Sequence, residues 1–208
     1  IDNNYYTSPI RLPNNNSIKL HGYFQNPKFF NDHKDLIIDY FTLKLEHQKI
    51  IEQIYISLTE NYTDYTTVSI HVRRGDYLNL QHFHITQDIS YFNKAIQTIT
   101  DKLNNNNILF LIFSDDLEWC KNNFKLPNII YVDESYTNKY DLPKDVIDLY
   151  LMSKCHHNII SNSSFSWWSA YMNKNVSKII CAPYNWLVDT NNNNDSLNII
   201  DHDMIVVK

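Results

Sequence analysis

Glycine is nearly missing from this chain of 208 residues: only Gly22 and Gly75 occur. A Gly-x-Gly-x-x-Gly fingerprint and a P-loop each need more, so neither phosphate-binding signature can be present. Each of the two is expected where a side chain would not fit. Cysteine is scarce too. Cys120, Cys155 and Cys181 are odd in number and lie far apart, which argues against a disulfide framework, gives no metal-ligand spacing and favours a reducing compartment. No apolar run approaches the roughly 20 residues of a membrane span. The start, Ile1-Asp2-Asn3-Asn4, has neither the basic beginning nor the apolar centre of a signal peptide, and it lacks Met. A processed or excised segment of something longer is therefore expected. Basic residues are outnumbered, with a net charge of −5 and a pI of about 6.0, so no bulk attraction to nucleic acid or anionic membrane is expected. Any basic site has to be local.

What the chain does have is enough apolar residue, 43% against 20% charged, to bury a full core in one or two domains. Asparagine is abundant, in runs at Asn14 to Asn16, Asn104 to Asn107 and Asn191 to Asn194. These read as loop expansions. The sequons at Asn61, Asn162, Asn175 and Asn194 are what so much asparagine produces by chance.

In chain order, residues 1 to 20 read as irregular, and His21-Gly22-Tyr23-Phe24-Gln25 as an aromatic corner at a glycine turn. Lys34 to Leu58 has the spacing of one amphipathic helix, with Asp32 as its cap. From Thr66 the pattern becomes strand, loop, helix, repeated. Strands are expected at Thr66 to Ile70 and beyond, Ile108 to Phe113, Asn128 to Val132, His157 to Ile160, Lys178 to Cys181 and Met204 to Val207. Helices are expected at Asp88 to Leu103, Leu117 to Phe124 (capped by Ser114 or Asp115), Asp145 to Cys155 and Phe165 to Met172. The fully apolar Ile108 to Phe113 belongs in a sheet covered on both faces. The fold class is thus α/β, a Rossmann-like doubly wound parallel sheet, preceded by a mostly helical N-terminal segment.

In such a sheet the carboxyl ends of the strands share one edge, where ligands bind. That edge should gather Arg73 and Arg74, Ser114-Asp115-Asp116, and Ser161-Asn162-Ser163-Ser164. Adjacent guanidiniums repel each other, and a planar fork suits phosphate, so Arg73 and Arg74 point to a phosphate-bearing ligand. The plainer alternative is a solvated strand end with one arginine paired to Asp76. Serines before a helix offer hydroxyls and free N–H groups to an anion, although they are also ordinary caps. Asp115-Asp116 could accept N–H donors from a guanine edge or a ribose hydroxyl. Metal ligation ranks below that, because adjacent residues diverge. Arg74-Gly75-Asp76 spells an integrin-recognition word, but the end of a buried strand does not present it as a mobile tip. Seven histidines (His21, His33, His47, His82, His84, His156 and His157) form no metal-like spacing, whereas His71 shares a strand face with Arg73.

Three stretches together resemble family-11 glycosyltransferases, the α-1,2-fucosyltransferases (galactoside 2-alpha-L-fucosyltransferases). They are His71-Val72-Arg73-Arg74-Gly75-Asp76-Tyr77, Phe113-Ser114-Asp115-Asp116 with Trp119, and Ile159 through Asn173 with the word Ser163-Ser164-Phe165-Ser166-Trp167-Trp168-Ser169-Ala170-Tyr171. His21 to Gln25 before them, and Pro183 with Trp186 after them, fit the same order. The resemblance implies the C-terminal, donor-binding half of a GT-B fold, with residues 1–63 a remnant of the acceptor-side domain and linker and residues 64–208 the nucleotide-sugar-binding domain. It implies GDP-β-L-fucose as donor substrate, the 2-hydroxyl of a galactose-terminated glycan as acceptor, inversion of configuration, no cofactor and no required metal. Membrane association, Golgi-type if an anchor exists, would come only from parts outside this chain; otherwise a cytoplasmic or membrane-associated location is implied.

Position by position, the resemblance gives Arg73 the donor β-phosphate and the departing GDP, with Arg74 and Asp76 shaping that site. It gives Asp115 the guanine end, Ser163, Ser164 and Phe165 the diphosphate, and Ser114 and Asn162 places in the donor site. Asp76 and His71 are candidates, on chemistry alone, for taking the acceptor proton. The family's opening Gly-Gly-x-Gly-Asn-Gln segment has no counterpart here, so most of the first domain is expected outside these residues. That absence motivates a second reading, a non-catalytic GDP-sugar-binding or assembly module.

Overall fold

Strand β2, Ile108–Ser114, is an interior strand of the sheet with both faces covered, as its unbroken apolar run requires. The computed structural model describes residues 26–188, 199–201 and 203–208. Among them, six strands form one sheet in the order β3-β2-β1-β4-β5-β6, every neighbouring pair parallel. The others are β1 (Thr66–Val72), β3 (Ile129–Tyr131), β4 (His157–Ile159), β5 (Ile180–Pro183) and β6 (Ile205–Val207). The expected Rossmann-like α/β fold is what forms. Strand order reverses between β1 and β4, which opens a crevice at their carboxyl ends.

The helices are α1 (Lys34–Tyr40), α2 (Leu45–Thr59), α3 (Ile89–Leu103), α4 (Leu117–Asn123), α5 (Glu134–Thr137), α6 (Lys144–Lys154) and α7 (Ser164–Met172). Asp88 caps α3, its Oδ1 accepting from Ser90 and Tyr91 N–H, and Asn104 closes it in the left-handed region at φ 45°. On one side of the sheet, Phe92, Ala95, Ile96 and Ile99 of α3 pack on Val68, Ile70 and Val72 of β1 and on Phe110 and Ile112 of β2. On the other, Ile51, Ile54 and Leu58 of α2 join Ile147 and Leu151 of α6 over Leu111 and Phe113. A third cluster sets Trp167, Ala170 and Tyr171 of α7 against Ile180 and Ala182 of β5.

Strand β1 is two-faced in an unusual way. Val68, Ile70 and Val72 are apolar and buried on one face, but Thr67, Ser69 and His71 are buried on the opposite face and each is hydrogen-bonded. Thr67 Oγ1 meets Tyr55 OH at 2.8 Å, Asn158 Nδ2 donates to Ser69 Oγ at 2.7 Å, and His71 Nδ1 pairs with Ser161 Oγ at 2.8 Å. A buried polar group without such a partner would be costly.

Three local expectations need correcting. The single helix expected over Lys34 to Leu58 is two helices, broken at residues 41–44. No proline or glycine causes the break; the two halves serve different cores, Ile37 and Ile38 packing on the α7 cluster while Ile51, Ile54 and Leu58 pack on β2 and α6. Phe41 stacks on Trp168 at 5.0 Å, its carbonyl accepts from Tyr150 OH, and Gln48 Nε2 donates to Leu43 O at 2.7 Å, so tertiary contacts take up the freed backbone. Asp32 is no cap: it lies in a 3₁₀ turn, Asn31–His33, and α1 begins behind His33 without a side-chain cap. The cap of α4 is Asp116, accepting from Trp119 N–H at 3.0 Å, rather than Ser114 or Asp115. The corner expected at His21 to Gln25 lies outside the described residues. Among the described residues no helix is long and apolar enough to cross a membrane.

Candidate functional site

A cleft of about 1330 Å³ opens at the carboxyl ends of β1 and β2, walled by the first turns of α6 and α7 and by α5. The strand alternation explains what reaches it. His71 and Arg73 follow Thr67 and Ser69 on one face and line the cleft, and Arg74 turns to the other face.

The Arg73 fork is held on two sides, Nη2 to Asp76 Oδ1 at 2.8 Å and Nη1 to Asp115 Oδ2 at 3.1 Å, with its side chain still about one-third exposed at 35%. Asp115 is fixed in turn, because its Oδ1 accepts from the Arg74 backbone N–H at 2.9 Å. Gly75 is the residue this arrangement needs. A Cβ there would stand 2.7 Å from Asp115 Oδ2, closer than carbon and oxygen tolerate, and would push the carboxylate off Arg73. The next residues form a 3₁₀ turn, Asp76–Asn79, in which Tyr77 stacks on His84 at 4.1 Å and donates to Asn162 O at 3.1 Å. The β1 and β4 loops are tied together there.

Arg74 does not line the cleft. Its guanidinium lies 4.2 Å over the Trp119 ring and its Nε donates to Asp116 Oδ2 at 3.2 Å. Asn162 is likewise internal: Nδ2 donates to Ile85 O and Trp186 O, and Oδ1 accepts from Gln87. Both residues brace the loops from behind. Ser114, Asp115, Ser163, Ser164 and Phe165 do line the cleft beside Arg73. Ser163 occupies the cap position of α7 without using its side chain as a cap, and the first-turn N–H groups of any helix lack intrahelical acceptors. A hydroxyl and a positive helix end thus face the same space as the Arg73 fork.

His71 is buried, and desolvation, with Arg73 and Lys144 adding to it, pushes its pKa down to about 3. It is a neutral imidazole with Nδ1 engaged by Ser161 and its ring 5.5 Å from Phe165.

Several wall residues escaped the sequence reading. Asp133, Glu134 and Ser135 come from the start of α5, whose four residues are too short to leave a period. Lys144 and Asp148 come from α6, pairing across one helical turn. A signal for the second did exist, since Asp148 is a lone acid among Val146, Ile147, Leu149 and Leu151. Carboxylates outnumber cations in this lining, with Arg73 and Lys144 facing Asp76, Asp115, Asp133, Glu134, Asp145 and Asp148. An anion here must be held by aimed donors, not by a general positive field. Among the described residues, no group of three or more His, Cys, Asp or Glu could hold a metal ion.

Known proteins resemble this chain over most of its length. The chain is 33% identical over 190 residues to the O-antigen biosynthesis glycosyltransferase WbnK of Escherichia coli, covering 89% of this chain and 61% of that protein. It is 30% identical over 187 residues to an alpha-1,2-colitosyltransferase of Escherichia coli, covering 87% and 60%. A galactoside 2-alpha-L-fucosyltransferase of Bos taurus matches at 26% over 159 residues, covering 74% and 42%. The chain spans 61% or less of the length of these relatives. The profile of Glycosyl transferase family 11 matches residues 3–200, nearly the whole chain and all three motif stretches, and the chain belongs to that family.

Proposed function

We propose that this chain is the donor-binding part of an inverting glycosyltransferase that moves L-fucose from GDP-β-L-fucose to the 2-hydroxyl of a galactose-terminated glycan. One observation carries this reading: Arg73 and the Ser163–Ser164 start of α7 line a single cleft at the reversal of strand order. The names of relatives support the linkage, since an alpha-1,2-colitosyltransferase and a galactoside 2-alpha-L-fucosyltransferase are among them. The sheet then forms the second half of a GT-B fold, with most of the acceptor side supplied by further polypeptide.

In this reading Arg73 and the α7 N–H groups hold the diphosphate. As the bond between fucose and phosphate breaks, the electron pair stays on the GDP oxygen, and fixed donors stabilise that charge without reorganising. Between the two candidates for the acceptor proton, Asp76 is the better placed, half-exposed at the rim, while His71 is buried and a poor base. Asp76→Asn should then remove transfer while GDP still binds. No cofactor takes part and no metal is needed, so a chelator should leave the rate unchanged.

The test is calorimetry of the chain with GDP and GDP-fucose, followed by transfer to lactose. Arg73→Ala should weaken GDP binding at least about tenfold and abolish turnover with the fold intact. Normal turnover by that variant rejects the assignment. Binding without turnover by the unsubstituted chain instead favours a non-catalytic GDP-sugar-binding or assembly module.

A further inference from the structure

Asp148 is 8% exposed, lines the cleft, and is only half satisfied. Its Oδ2 meets Lys144 Nζ, but Oδ1 is buried and has no hydrogen-bond partner among the described residues. Buried acceptors are almost always paired, so an unpaired one on a side chain that lines a cleft marks where a donor belongs. Desolvation has already pushed this carboxyl up to about 6, so a donor supplied by a ligand would relieve an existing cost.

Asp115, which the family resemblance sets at the guanine end, has a partner on each oxygen, Oδ2 with Arg73 and Oδ1 with the Arg74 N–H, whereas Asp148 shares Oδ2 with Lys144 and leaves Oδ1 without one. Asp115 also stands beside Arg73, where the phosphates would lie. Asp148 stands one turn into α6, on another wall of the same cleft.

We propose that Asp148 is the nucleobase-selecting residue of this site, its carboxylate accepting the ring N1–H and the exocyclic 2-amino group of guanine. This rests on the reading of the cleft as a GDP-sugar site and names the residue that reads the base. The chemistry selects among bases. Guanine alone of the common bases presents two adjacent donors on one edge, matching the two oxygens of a carboxylate. Adenine and cytosine put a ring-nitrogen lone pair against that carboxylate, and uracil flanks its single N–H with two carbonyl oxygens. Each of these leaves a buried charge facing a like partial charge, the strongest form of rejection a pocket has.

Calorimetry of the whole chain with GDP, inosine diphosphate, xanthosine diphosphate and ADP tests it. Inosine lacks the 2-amino group and should bind about tenfold or more weaker than GDP, as expected for loss of one hydrogen bond to a charged acceptor. Asp148→Asn keeps an acceptor for N1–H but replaces the second acceptor with a donor. It should therefore lose GDP affinity and gain xanthosine diphosphate affinity, reversing the order of the two. A merely structural role for Asp148 would weaken both nucleotides alike. Equal binding of GDP and inosine diphosphate by the unsubstituted chain overturns the proposal even if the variant fails to fold. So does an Asp148→Asn variant that keeps the original order. Failure of the unsubstituted chain to bind GDP at all is a different result, and removes the nucleotide-sugar reading beneath it.

Discussion

Replacing Asp148 with asparagine should make the ligand-free protein more stable above neutral pH and not below about pH 4. Burial raises the folded-state pKa of this carboxyl from 3.8 to about 6, so the folded protein holds the proton more tightly than the unfolded chain does. The sign follows from linkage: the contribution is fully present below about 3.8 and is lost as pH rises through 6. Raising the pKa from 3.8 to about 6 corresponds to roughly 3 kcal/mol. Asparagine has no charge to bury, so it escapes that loss; the Lys144 pair is already counted in the pKa of about 6, and part of the change falls below pH 4. The net advantage of the variant should therefore grow by roughly 2 kcal/mol between about pH 4 and pH 7. Urea denaturation of both proteins across that range reads it directly, because changes in other carboxylates cancel in the difference. A difference that stays flat, or that falls with pH, would show that Asp148 is not the desolvated acid its surroundings imply.

Arg74→Ala should cost about 1–2 kcal/mol of unfolding free energy through loss of the Trp119 stack and the Asp116 pair. Because Arg74 lies behind the cleft, it should change GDP affinity far less than Arg73→Ala does; equal losses would place both guanidiniums on the ligand. Asn158→Ala should be among the more damaging core changes, roughly 2–4 kcal/mol, since that fully buried amide bonds Ser69, the Met152 carbonyl and Asn173. A cost under about 1 kcal/mol by chemical denaturation would show that this network relaxes. Acid should unfold the protein partly through His157, whose pKa burial lowers from 6.5 to about 4 and whose Nδ1 accepts from the Ile179 N–H. That stability is complete above about 6.5 and lost as pH falls through 4, so His157→Gln should show a shallower acid limb; an unchanged limb would refute it.

Much of this architecture is legible in the residues, and the exceptions have identifiable causes. Strand β2 announces itself because both its faces are apolar, and α3 because one stripe is apolar and a cap and a left-handed asparagine bracket it. The break between α1 and α2 leaves no local mark, since Phe41 and Leu43 keep the helical period while their contacts are made with Trp168 and Gln48. In the cleft, strand alternation predicts that His71 and Arg73 share a face, and the same rule sends Arg74 away from them, toward Trp119. Pairing the two arginines by adjacency overlooked that consequence. The contribution of α6 depends on how far its first turn leans over the sheet, which is a property of packing that spacing does not encode.

The hydrogen-bonded row on β1 acts as a ruler. Were this strand to slip by one position against its neighbours, Thr67, Ser69 and His71 would be driven into hydrocarbon and Val68, Ile70 and Val72 would confront amides and imidazoles. An all-aliphatic strand would slide at lower cost. The reach of Arg73 into the cleft is therefore calibrated three residue pairs deeper in the sheet, and a substitution near Ser69 should misplace the guanidinium without touching it.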